Sequence, residues 1–187
     1  VTVLDRSVFE IGEYLFVGAT LWTDMRNRNP TLMASMRSFM SHDGSIAYST
    51  GANGRWERFT SDRWCDTHHH HKTYIRLIAE QNPDKKIVVI THHAPLTILH
   101  EKRYAMDFGN PYFSSDLSDL ILDHENIKYW FYGHLHYPKV TKFDHCTLIN
   151  NSVGYLGEGI EEMHGITHLP YNLEDGVDGQ DFTAEEN

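Results

Sequence analysis

Two apolar runs, "KIVVITHHAP" from Lys86 and "KYWFYGHLH" from Lys128, constrain this chain more than any other feature. The first places four β-branched residues in a row, Ile87 to Ile90, and stops at Pro95; that is the composition of a strand buried on both faces. The second is aromatic and equally continuous, and each run ends in a pair of histidines. Between them "SSDLSDLILDHENI" offers Ser114 or Ser115 as a helix cap and Leu117, Leu120 and Ile121 as an apolar face. Strand, helix, strand in this order predicts a parallel α/β sheet, because parallel strands need a crossover and a helix supplies it.

The flanking sequence extends the pattern. "VTVLD", "SVFEIG" and "YLFVGATLW" read as strands, and "NPTLMASMRSFM" from Asn29 to Met40 as a helix opened by Pro30. Asp66 or Thr67 is placed to cap a helix running to about Gln81, with Tyr74, Ile75, Ile78 and Ala79 inward. "SHDGSIAYSTGANGRW" reads as a loop, and "KVTKFDHCTLINNSVGY" as a hairpin turning near Asp144. The body is assigned to residues 1–158, and residues 159–187 to an acidic, solvated extension in which apolar periodicity is lost.

Charge and cysteine content narrow the function classes. All 16 Lys and Arg, and 16 of the 26 Asp and Glu, lie at or before Lys142, so that part is neutral and the net charge of -10 comes from the ten acids between Asp144 and Glu186. A neutral body offers no basic stripe for duplex nucleic acid. No run approaches the eighteen or so apolar residues of a membrane helix, and "VTVLDRSVFEIGEYLFVG" has no charged n-region or long apolar h-region. Cys65 and Cys146 are too few for a disulfide scaffold, which favours free thiols and a reducing, cytoplasmic compartment.

In open α/β sheets ligands gather at the carboxyl ends of the strands, where both histidine pairs fall. Neutral imidazoles on adjacent parallel strands point to a divalent metal. At this point the residues carry a resemblance. "THHAP" and "YGHLH" resemble the last two signature blocks of the calcineurin-like metallophosphoesterases, and "YLFVGATLW" and "INNSVGY" resemble the corresponding segments of bacterial members. The resemblance spans Val1 to Glu158 and implies the second half of an α/β/β/α sandwich. It implies His92 and His134 as ligands of one metal, His136 as a ligand of the other, and Gly133 as the residue that lets the loop turn closely. His93 matches no ligand position and is assigned to the substrate side or to support of the ligands. The implied chemistry is hydrolysis of phosphate monoesters or diesters by two divalent ions, manganese, iron or zinc.

The chain also departs from that family. Asp-x-His, Gly-Asp-x-x-Asp and Gly-Asn-His, which carry the bridging carboxylate, the asparagine ligand and the proton-donating histidine, are absent; "SHDG" and "FDHC" lack the spacing. Histidines without a carboxylate leave two dications uncompensated, so the chain alone is expected to hold at most one ion, weakly. The first half is expected on another chain or segment, its loss exposing a sheet edge and an apolar face. The competing reading is a metal-binding or scaffolding domain that retains the fold without catalysis. The run His68 to His71 is expected at an exposed helix start with incidental metal affinity, and Asp24 in a structural turn.

Overall fold

Hydrophobic periodicity resolves into one six-stranded sheet in a computed structural model that describes residues 2–39, 46–49, 56–152 and 154. The strands are β1 (Ser7–Ile11), β2 (Tyr14–Ala19), β5 (Lys86–Thr91), β6 (Ile127–Tyr132), β7 (Lys139–Phe143) and β8 (Cys146–Asn150). Their order is β1-β2-β5-β6-β8-β7; β2, β5, β6 and β8 run parallel, and the edge strands β1 and β7 are antiparallel to their neighbours. A separate ribbon pairs β3 (Ala47–Ser49), inside the stretch read as a loop, with β4 (Trp56–Arg58), which begins at its last residue. The α/β expectation therefore holds, and the described chain supplies one main sheet.

Register decides which side chains are buried. Leu15 and Val17 of β2 lie beside Ile87 and Val89 of β5, and Trp130, Cys146 and Leu148 continue that face. Helix α3 (Ser61–Gln81) brings Ile75 and Ala79 against it, and α4 (Ser118–Leu122) brings Leu120 and Ile121. Removing this much apolar surface from water, at about 25 cal/mol per Å², is the main favourable term of the fold. The opposite face carries Phe9, Phe16, Val88, Ile90 and Phe131, and Phe9, Ile11 and Ile90 are 44%, 56% and 38% exposed. Among the described residues the edge strand β1 and its apolar side are thus partly exposed.

Several boundaries differ from the sequence reading. Residues 2–5 form no strand; Arg6, at φ 45°, turns the chain into β1, and Gly12, at φ 58°, closes the β1–β2 hairpin. Helix α2 (Pro30–Phe39) matches its expected span within the described residues, with Asn29 Oδ1 accepting from the backbone N–H of Thr31 at 3.0 Å. Helix α3 starts five residues before Asp66, because Thr60 caps it by accepting from Arg63 N–H at 3.2 Å. Neither Ser114 nor Ser115 caps α4: Asp116 Oδ1 accepts from Ser118 N–H at 3.0 Å, and both serines bond to other segments. The hairpin turns at Asp144, φ 52°, as expected. The extension from residue 159, with His164 and His168, lies outside the described residues.

A smaller second core joins Met25, Leu32, Met36, Phe59, Trp64, Cys65 and Tyr112. It holds an unusual turn, α1 (Met25–Arg28), whose four residues all have positive φ, so the turn is left-handed. Such a conformation costs roughly 1–2 kcal/mol per residue for L-amino acids. It is fixed by Asp24, which accepts from Arg26 N–H at 3.0 Å and from Ser115 Oγ–H at 3.1 Å, and by Arg28, which pairs with Asp62 and Asp66. The turn role expected of Asp24 is the one found.

Thr91 closes the link between sheet and site: its Oγ1 donates to the carbonyl of His93 at 2.8 Å and accepts from Trp130 Nε1–H at 2.9 Å. Thr91→Val leaves a buried indole N–H and a buried carbonyl unpaired, and is expected to lower unfolding free energy by about 2–3 kcal/mol in urea titrations, with an unchanged slope.

Candidate metal and phosphoester site

The four parallel strands end at one edge, and their exits face each other. Thr20 follows β2, His92 and His93 follow β5, Gly133 and His134 follow β6, and Asn151 and Ser152 follow β8. Backbone bonds tie these exits together: His92 N–H and His93 N–H both donate to the Thr20 carbonyl at 3.2 Å, and Gly133 N–H donates to the His92 carbonyl at 3.0 Å. Asn150 then fixes the loop after β6, donating from Nδ2 to the carbonyls of Leu135 and Tyr137, while its Oδ1 accepts from Ser152 N–H at 2.9 Å.

Within this frame three imidazoles touch. His134 Nδ1 lies 3.0 Å from His92 Nε2, and the ring centroids of His92, His93 and His134 are separated by 5.1, 4.7 and 4.4 Å. His136 follows on the same loop, near enough for its charge to help depress the His134 pKa. Burial, more than any neighbour, takes His134 down to about 3, with His92, His136 and His100 adding to it. His93 is wholly buried and held well below the usual histidine value for the same reason, its neighbours His134 and His92 contributing next. At neutral pH both rings are uncharged and present lone pairs.

The turn is not made by Gly133. His134 is the residue at positive φ, 64°, and a Cβ added to Gly133 would meet His92 Nδ1 at 3.6 Å and Ser152 Oγ at 3.7 Å, which is ordinary contact. The strain therefore sits on a histidine, a position that costs of order 1 kcal/mol and is characteristic of functional sites.

The residues meet a metal in part. His93 Nδ1 faces the Thr20 carbonyl at 3.3 Å, which directs its proton there and leaves Nε2 as a lone pair; that atom, like His134 Nε2, is buried and makes no hydrogen bond. A spare nitrogen opposite a backbone-anchored N–H, as in His93, is an arrangement of ligating histidines, whereas the other nitrogen of His134 faces His92. Yet among the described residues no three His, Cys, Asp or Glu side chains are placed to hold an ion together. The nearby acid, Asp24, is bonded to Arg26 N–H and to Ser115.

The histidine run behaves differently from expectation. His69 and His70 are exposed, but His68 and His71 are buried on the inner face of α3, because positions three apart share a face. His71 Nδ1 accepts from Leu21 N–H at 3.1 Å, and His68 Nδ1 donates to the Leu21 carbonyl at 3.2 Å and lies 3.3 Å from that of Trp22. They brace Leu21 and Trp22, at φ 74° and 56°, where the chain leaves β2. Trp22 and Trp64 in turn wall His93 at 5.0 and 5.6 Å, and Phe113 stacks on His134 at 4.8 Å. Sequence reasoning passed over His100, Phe113, Thr91 and Asn150. Thr91, inside "THHAP", and Asn150, inside "INNSVGY", lay in segments already singled out.

Comparison with known proteins follows the same geometry. No family model matches the chain. An uncharacterized protein, L509, of Acanthamoeba polyphaga mimivirus is 24% identical over 168 residues, which is 84% of this chain and 56% of that protein. A solved structure, the phosphopantetheinyl hydrolase of Mycobacterium tuberculosis, superposes with a TM-score of 0.57 at 18% identity, covering 88% of this chain and 57% of the hydrolase. The chain thus shares the fold of a hydrolase and spans little more than half the length of either protein.

The His71 bond sets a pH dependence. Burial lowers its pKa to about 4, whereas the unfolded chain binds the proton near 6.5. Because only the unfolded state is protonated between these values, stability falls as pH drops from about 6.5 to about 4, by up to roughly 3 kcal/mol for this group. His71→Asn, which retains an acceptor without titrating, is expected to flatten that part of a denaturation series between pH 7 and 4.

Proposed function

We propose that this chain carries the histidine-bearing half of a metal-dependent phosphoesterase, similar to the calcineurin-like metallophosphoesterases. The observation that supports this most directly is the 3.0 Å pair of His92 Nε2 and His134 Nδ1 at the carboxyl edge of parallel strands. Two cis imidazoles on an ion at about 2.1 Å present nitrogen atoms at this order of separation. The hydrolase fold agrees with the reading.

On this proposal His92 and His134 hold one ion, His136 belongs to the second, and His93 braces the pair from the buried side. Bound divalent metal would supply Lewis-acid polarisation of a phosphoryl oxygen and an activated water. The chain's own contribution is to keep His93 and His134 neutral and oriented, His93 walled by Trp22 and Trp64 and His134 covered by Phe113. The carboxylates that would balance two dications come from a further segment or second chain, and manganese, iron or zinc suits a mixed imidazole and carboxylate set. Substrates are phosphate monoesters or diesters. A cytoplasmic setting fits the two buried thiols, whose pKa values burial raises to about 11 at Cys65 and about 12 at Cys146. No described helix is long and apolar enough to cross a membrane.

The donor set also carries a second reading: among the described residues imidazoles are brought together with no carboxylate placed to complete an ion site, which suits a metal-binding or scaffolding domain. Hydrolysis of bis-p-nitrophenyl phosphate and p-nitrophenyl phosphate in excess manganese separates the two. The enzyme reading expects turnover that drops at least about 100-fold in a His92→Ala, His134→Ala double variant, with the mass of the sample checked for a bound partner. A folded chain that binds manganese through these histidines and shows no turnover even with the carboxylate-bearing segment or second chain supplied supports the scaffold.

A further inference from the structure

We propose that His100 is a substrate-binding residue of this site, a neutral hydrogen-bond donor locked by Ser114 and aimed at an oxygen of the bound phosphoryl group. The inference rests on the phosphoester reading and deepens it. His100 follows the short 3-10 turn Thr97–Leu99 on the loop leaving β5, the same strand that delivers His92. Its Nε2 lies 2.7 Å from Ser114 Oγ, and Ser114 is only 2% exposed. Phe113 joins it to the histidine cluster: the ring meets His100 edge-on at 6.5 Å between centroids and stacks on His134 at 4.8 Å.

The direction of the serine bond determines the tautomer. If His100 Nε2 carried the proton, the Ser114 hydroxyl hydrogen would be buried with no acceptor shown, at the full desolvation cost of an unpaired donor. With Ser114 donating to Nε2, both groups are satisfied and the ring proton resides on Nδ1. That N–H has no hydrogen-bond acceptor shown among the described residues, and the ring is half-buried rather than enclosed. Burial lowers the His100 pKa, against the pull of Asp107, so the ring remains a neutral donor.

Ser114 is itself fixed, its N–H bonded to the Asn110 carbonyl and its backbone bridged to Ala94 of the "THHAP" segment. The neighbouring Ser115 binds Asp24. One dipeptide therefore ties the β5 exit to the strained segment after β2 and sets the tautomer of His100. Ser114 is accordingly a positioning residue and His100 the group that touches substrate. An acceptor-rich phosphoryl group is what a fixed neutral N–H beside lone-pair imidazoles can recognise without competing with them for a cation.

The test uses the whole chain. Long-range nitrogen–proton spectra of [15N]histidine-labelled protein report the His100 tautomer, and equilibrium dialysis of inorganic phosphate in excess manganese reports binding. The wild type is expected to show Nδ1–H; Ser114→Ala shifts the signals toward Nε2–H and weakens phosphate several-fold. His100→Ala and His100→Gln are expected to weaken phosphate about 10-fold or more, the worth of one hydrogen bond to a charged acceptor. His100→Asn, whose amide N–H falls near Nδ1, should stay within about three-fold of wild type, with melting curves confirming that each variant is folded. An Nε2–H tautomer in the wild type overturns the inference. So does phosphate binding that His92→Ala, His134→Ala abolishes but His100→Ala leaves intact, and in that case the phosphoester reading survives. Absence of phosphate binding by the wild type in manganese overturns the inference as well, and leaves the phosphoester reading to the turnover assay.

Discussion

The carbonyl of Thr20 is where the site is held together. It accepts from two consecutive backbone N–H groups, His92 and His93, and faces the His93 ring as well. Parallel strands leave their last polar groups without ladder partners, and buried ones must be paired locally. Here the pairing is made by crossing from the end of β2 to the end of β5, and Gly133 repeats the device from β6 to β5. The histidines are thus placed by backbone bonds before any ligand is considered, and a change that slips β2 against β5 would displace His92, His93 and His134 together.

A second consequence is electrostatic. Residues of the smaller aromatic core, Trp22, Trp64 and Phe113, pack on His93 and His134, so these two rings are desolvated. Burial is the leading cause of the lowered pKa at His93, His134, His71 and His68 alike. His68 and His71 spend their neutrality on backbone atoms of the segment after β2, while His93 and His134 retain an unengaged nitrogen each. One structural pair and one pair with spare lone pairs therefore arise from residues of the same type, separated by what the backbone offers them.

The fold was legible where periodicity and turn chemistry agree. β5, β6 and the β7–β8 hairpin lie where their apolar runs and Asp144 placed them, and the two histidine motifs converge as adjacent parallel strands require. The beginning of α3 was not legible, because Ser61 to Cys65 carries little apolar periodicity and Thr60 is a modest cap signal. The serines before α4 misled for a related reason: their hydroxyls are equally good cap acceptors and long-range partners, and the choice is made by which segments fold beside them. Gly133 looked like the hinge of its loop, whereas the positive φ falls on His134, a shift of one residue that sequence cannot resolve. His100 was invisible for the same reason as Ser114, since their bond spans fourteen residues of irregular chain.

Neutral histidines shape the order of events on the proposed function. A cluster of lone pairs attracts a cation and does nothing to draw a phosphate, so anion recognition has to come from N–H donors or from a bound ion. Tautomer control then becomes the central design problem, because each ring has one proton and must spend it in the right direction. His93 spends its proton on the Thr20 carbonyl and keeps Nε2 open; His100, bonded through Ser114, keeps its proton outward. Opposite tautomers fixed by opposite partners let one residue type keep a lone pair toward the histidine cluster in one place and a donor toward the substrate in another. What imidazoles cannot supply is negative charge, and the positive charge of a filled site therefore has to be balanced by groups outside this cluster.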